Sequence, residues 1–132
     1  MGETAEIAGG PFVRDYVSGV VSMRKDEGIV VKVLNDSGVN ENARVVLYQV
    51  TGAGSSVHSD SGRGSVIPGW AWNVGLTIRD DGDYYVRIQA TSDAFVPSAI
   101  FQRLTAAGVF APFLTYAPGD FAVFDLTRRR LP

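Results

Sequence analysis

Along most of the chain apolar side chains return at every second position, in short runs divided by clusters of Gly, Asn, Asp, Ser and Pro. That is the pattern of strands joined by turns. The run from Asp83 to Thr91 is the cleanest. Tyr84, Val86, Ile88 and Ala90 fall on one face, and Asp83, Tyr85, Arg87, Gln89 and Thr91 on the other, so the first set is predicted to face a core. From Trp70 to Arg79 the alternation places Trp70, Trp72, Val74, Leu76 and Ile78 together, and Asp80-Asp81-Gly82 then turns the chain. Ile29 to Leu34 and Ala43 to Val50 are β-branched and apolar on both faces, as expected of central strands covered on both sides. The polar stretch from Asn35 to Asn42 links them. Phe12 to Val17 and Val20 to Met23 form the first strand, with Gly19 marking a bulge or a crossing between sheets.

Elsewhere the pattern is less decided. Thr51 to Gly64, rich in Gly and Ser, reads as an exposed mobile loop, and Ser65 to Ile67 as a short edge strand stopped by Pro68 and Gly69. Ser98 to Leu104 fits a strand, but Ile100, Leu104 and Ala107 also fit a short amphipathic helix. Pro112 and Pro118 are expected to break the stretch between there and Phe121, and Phe121 to Leu126 is the last strand. Together these elements predict an all-β fold: an antiparallel two-sheet sandwich of about seven or eight strands. One domain would fill residues 1–132, with 1–10 and 128–132 as flexible ends.

The segment Asp80-Asp81-Gly82-Asp83-Tyr84-Tyr85-Val86 has the D-x-G-x-Y-x-apolar form of a tyrosine corner, with Val86 where an antibody-type domain places its second cysteine. Ahead of it lie Asn35-Asp36-Ser37-Gly38, Ala43 to Tyr48 and Ile67-Pro68-Gly69. Over Gly28 to Thr91 the chain resembles immunoglobulin-like and fibronectin type III-like sandwiches, most nearly the cell-adhesion-related modules of bacterial surface proteins. The resemblance implies a recognition or spacer role without a catalytic site. It also implies that Tyr84 opens the penultimate strand and bonds back to the upstream backbone. The chain departs from the pattern after that strand, where a long aromatic-rich connection containing Phe95, Phe101, Phe110, Phe113 and Tyr116 precedes Phe121.

Composition adds bounds. The 132 residues are 45% hydrophobic and 20% charged, with a formal net charge of −2, which is ordinary for a single globular domain. No strong attraction to nucleic acid arises from that balance. The basic Arg128-Arg129-Arg130 reads as a solubilising end. With no cysteine, disulfides, thiol chemistry and Cys-ligated zinc are excluded. The start, MGETAEIAGG, lacks a signal-peptide pattern, and no apolar run is long enough to span a bilayer. A cell-surface or extracellular location would therefore require a signal already removed, and a cytoplasmic one is expected otherwise.

Candidate chemistry is sparse. The one histidine, His58, sits among Ser55, Ser56, Ser59, Asp60 and Ser61. A Gly/Ser loop supplies neither the rigidity nor the oxyanion hole that Ser-His-Asp catalysis needs, so His58 is expected to be an exposed loop residue and no catalytic residue is assigned. Oxygen ligands suited to calcium cluster at Asp80, Asp81 and Asp83 and at Asn35, Asp36, Asn40, Glu41 and Asn42. Neither cluster has an EF-hand spacing, and turns require Asp and Asn for backbone reasons, so no metal or other cofactor is expected. Two functions from different classes remain. The first is a self-associating structural or protein-interaction module, with Phe101, Phe110, Phe113 and Tyr116 as interface candidates. The second is a carbohydrate or cell-wall polymer binder using Trp70, Trp72 and Tyr85, although the two tryptophans are in phase with the core.

Overall fold

The computed structural model of the protein describes residues 10–127; Arg128-Arg129-Arg130 and most of both expected flexible ends lie outside them. The described residues form β1 (Arg14–Val17), β2 (Val21–Met23), β3 (Gly28–Asn35), β4 (Glu41–Thr51), β5 (Gly54–Asp60), β6 (Gly64–Val66), β7 (Ala71–Thr77), β8 (Gly82–Ala90), β9 (Phe95–Leu104), β10 (Phe110–Tyr116) and β11 (Ala122–Asp125). The larger sheet runs β11-β1-β8-β4-β5, with β2 also pairing β8 and β6 also pairing β4, and the smaller runs β10-β9-β3-β7. The protein is an all-β antiparallel sandwich.

The eleven strands of the described residues exceed the expected seven or eight for three reasons. First, the opening strand is interrupted at Ser18–Val20. Both halves pair with β8, so Gly19 marks a break within one sheet and not a crossing between two. A Cβ at Gly19 would lie 2.8 Å from the Tyr116 hydroxyl, which accepts the Gly19 N–H at 3.0 Å. Second, the supposed loop of Thr51 to Gly64 contains β5, paired to β4 despite its Gly/Ser content. Third, the aromatic-rich connection is a hairpin of β9 and β10 that extends the smaller sheet. Residues 98–104 are strand, so the helical alternative is wrong. Pro112 does not break β10: it sits in an edge strand beside a register shift between Pro112 and Leu114, the kind of place where a strand tolerates a missing N–H.

Between the sheets lie Ile29, Val31 and Val33 of β3, Ala43, Val45 and Leu47 of β4, Phe101 of β9, and all four inward residues expected of β8: Tyr84, Val86, Ile88 and Ala90. The Tyr84 hydroxyl donates to the Asp80 carbonyl at 2.5 Å. Strand β3 is central but not covered on both sides, because Val30 and Leu34 are half-buried and Lys32 is exposed on its outer face.

Buried polar groups tie the turns to the sheets, as burial requires. Asn35, fully buried, donates to the Val39 and Val66 carbonyls at 2.8 and 2.7 Å and accepts from the Ser37 N–H and hydroxyl at 2.9 and 2.7 Å. Glu27 accepts the Arg24 N–H at 2.9 Å and the Arg103 guanidinium at 3.1 Å. That guanidinium also lies over the Phe113 ring, 4.1 Å from its centre.

Candidate functional site

Among the described residues the smaller sheet ends at β7, a seven-residue strand, Ala-Trp-Asn-Val-Gly-Leu-Thr, that contains no charge and no proline. It pairs with β3 in unbroken register from Gly28↔Thr77 to Leu34↔Ala71. Ala71, Asn73, Gly75 and Thr77 are exposed on the outer face, while Trp72, Val74 and Leu76 point inward. Being last in the sheet, β7 leaves Trp72 and Val74 only half-covered. Trp72 lies across Gly64, where a Cβ would stand 2.8 Å from the indole.

Trp70 keeps the alternation but precedes the strand, in the turn set by Pro68 and Gly69, and is 65% exposed, so of the two core candidates only Trp72 packs against the core. Gly69 has φ +77°, a left-handed conformation that glycine adopts at little cost. Trp70 and Trp72 line a depression of about 270 Å³ together with Ser65, Val66, Ile67 and Ala71. Ile67 is itself 43% exposed.

Tyr85, the third expected ligand residue, is elsewhere. It lies on the outer face of the larger sheet, stacked on Tyr48 with ring centres 5.0 Å apart, beside a cleft of about 400 Å³ lined by Asp15, Val17, Ser18, Val20, Arg87 and Phe124. Asp15 is buried there. Arg87 donates to it through Nε at 2.9 Å and through Nη2, and Gln89 donates to its other oxygen at 3.4 Å. The fold therefore does not gather Trp70, Trp72 and Tyr85 into one platform.

The four aromatic interface candidates also divide. Phe101 has no exposed surface, so it is core and cannot serve an interface between folded copies. Phe113 packs edge-on against Phe101 at 6.5 Å, and Tyr116 bridges Phe101 and Phe121 at 5.7 and 5.3 Å. Phe110 alone of the four is substantially exposed, at 47%.

His58 is buried, not exposed in a loop. Leu47 pairs with Ser59 and Tyr48 with Val57, so His58 is the extra residue of a bulge, a device that re-aims a side chain. Its ring meets Tyr84 edge-on at 5.2 Å. Nε2 accepts the Arg79 N–H at 3.2 Å and Nδ1 lies 2.8 Å from the Ser59 hydroxyl, which fits the neutral Nδ1–H tautomer. Burial, and then the Arg79 guanidinium, push its pKa below the ordinary value. Asp60 is held at a pKa of about 2, chiefly by its hydrogen bond from Arg44, whose Nε donates at 2.9 Å.

The acidic turns serve structure as well. Asp83 accepts the Ser22 hydroxyl at 2.6 Å and Asp81 the Lys25 N–H at 2.8 Å, so the two carboxylates serve different elements. Among the described residues no three His, Asp or Glu side chains converge in a way that could hold a metal ion, and no helix is long and apolar enough to cross a membrane.

The sequence signals that point to Trp70 and Tyr85 are their residue types. Nothing in it marks β7 as a sheet edge, because edge position is a property of topology. No protein-family model and no curated protein matches the chain. Its fold is similar to that in a crystal structure of Thermotoga maritima 1070, with a TM-score of 0.58 and 10% identity over 80% of this chain and 92% of that one, a likeness of fold alone.

Proposed function

We propose that the protein is a non-enzymatic structural or protein-interaction module that assembles with copies of itself. The observation that carries this reading is the edge that β7 leaves open among the described residues, seven residues with no charge, proline or bulge. Natural sheets guard such edges because unpaired backbone groups recruit other strands. The half-covered Trp72 and Val74, the exposed Trp70 and Ile67, and the half-buried Val30 and Leu34 of neighbouring β3 add the apolar surface that an assembly would use. The immunoglobulin-like kinship belongs to the same proposal, supported by the Tyr84-to-Asp80 bond, and so does the adhesion-like, surface-module character.

Light scattering across a hundredfold concentration range tests it. The expected result is a mass at least twice the 14.2 kDa of the chain persisting on dilution, and a strict monomer overturns the proposal. A second reading, recognition of a glycan, is favoured by one observation, the 65% exposed Trp70 indole beside a shallow depression. Trp70→Ala, which removes a surface side chain, should then abolish binding on a glycan array while leaving the melting curve unchanged.

A further inference from the structure

Resting on the self-association reading, we infer that the partner at β7 is a second copy of β7 itself. The two strands run antiparallel about a two-fold axis through Val74 and join two smaller sheets into one of eight strands. Three observations lead there.

The first is direction of the backbone. Ile78 N–H donates to the Glu27 carbonyl at 2.8 Å, continuing the register in which Thr77 faces Gly28. Antiparallel alternation then turns the backbone groups of Trp72, Val74 and Leu76 toward β3 and those of Ala71, Asn73, Gly75 and Thr77 outward. The outward set is symmetric about Val74. Pairing with a copy therefore places Asn73 opposite Gly75 and Ala71 opposite Thr77 as hydrogen-bonded pairs, using the whole strand.

The second is what the side chains would meet. On the inner face Val74 faces its own copy and Trp72 faces the copy's Leu76, which completes the cover of the two residues that the lone sandwich leaves half-open. On the outer face Gly75 has open space where a Cβ would stand, so nothing obstructs Asn73 of the copy, and glycine in a strand suits close approach of another backbone. The charged residue of β3, Lys32, lies beside Asn73. In this register its row continues through the copy's Gly75 to the copy's Val30, so the two lysines never oppose each other, as cross-strand pairing requires.

The third is that other edges are poorly suited. β10 carries Pro112 and a register shift, β11 has four residues, and β5 is bulged at His58 and ends in Asp60.

The absence of native cysteine makes the register directly measurable. In a non-hydrogen-bonded antiparallel pair the Cα atoms are about 4.5 Å apart, inside the disulfide range of about 4.4–6.8 Å. Val74→Cys should form a covalent dimer under mild oxidation on a non-reducing gel, whereas Asn73→Cys, two residues out of register with its copy, should not. Asn73→Pro, which removes only an outward N–H, should give a monomer by light scattering with an unchanged circular dichroism spectrum. If the wild type is an oligomer but Val74→Cys stays uncrosslinked, or Asn73→Cys links as well, or a folded Asn73→Pro still dimerises, the β7 register is overturned while self-association stands. A monomeric wild type overturns both.

Discussion

The two edges of the smaller sheet manage the same hazard in opposite ways. β10 presents Pro112 and a register shift, and of its three aromatic rings Phe113 and Tyr116 pack on Phe101 and Phe121 while Phe110 stays exposed. β7 presents an even strand with nothing to discourage another backbone. Both strands are apolar and of equal length. What separates them is therefore not hydrophobicity, since β10 itself exposes Phe110 and Leu114, but whether the strand is regular and its outward N–H groups are available.

The largest expected effect tests the sealed side. Phe101 is fully buried under β10, so Phe101→Ala should cost about 3–5 kcal/mol, seen as a large fall in the urea midpoint. Trp70→Ala beside β7 should change stability by no more than about 0.5 kcal/mol. A comparable loss at both positions would mean that the β7 end is packed as tightly as the β10 end, and the contrast would fail.

Next comes removal of the guard. Pro112→Val restores a donor to the outer strand, so the variant should form species larger than the wild-type assembly in light scattering at the same concentration, with little change in melting temperature. If its mass matches the wild type, the bulge and not the proline keeps β10 closed.

The sequence carries the parts of this contrast that depend on alternation. Period alone places Tyr84, Val86, Ile88 and Ala90 inside, and the tyrosine-corner motif implies a bond from Tyr84 back to the upstream backbone, which the structure makes to the Asp80 carbonyl. It fails where neighbours decide. The Gly/Ser composition of β5 reads as loop because its pairing to β4 is supplied by a partner strand and not by its own propensity. Pro112 reads as a breaker unless its strand is known to be an edge. Trp70 continues the alternation of β7 into a turn where alternation no longer has meaning. The candidate edge itself is invisible, because nothing in Ala71 to Thr77 says that β7 is the last strand of its sheet.

His58 gives a smaller effect, at the bulged β5 edge. Its folded pKa lies below the unfolded value of about 6.5, so below that pH the unfolded chain binds the proton first. The contribution of the neutral, buried ring is fully present above the unfolded pKa and is lost as pH falls through the folded one. The melting temperature should therefore fall between pH 7.5 and 5, and His58→Gln should flatten that slope. An identical slope in the variant would assign the loss to other groups.

The smallest effect concerns the charges that border β5. Asp60 and Arg44 are partly exposed, at 32% and 39% of their side chains, and exposed pairs contribute only about 0.2–1 kcal/mol. Asp60→Asn should accordingly lower the urea midpoint slightly. With the Asp60 pKa depressed to about 2, the stabilisation is complete above the ordinary carboxylate pKa and disappears as pH falls through about 2, so variant and wild type should converge there. The informative quantity is the solution mass. Neutralising Asp60 leaves the bulge in place, and an unchanged mass would show that β5 is kept from pairing by its irregular backbone, whereas an increase would show that charge alone kept it from behaving as β7 does.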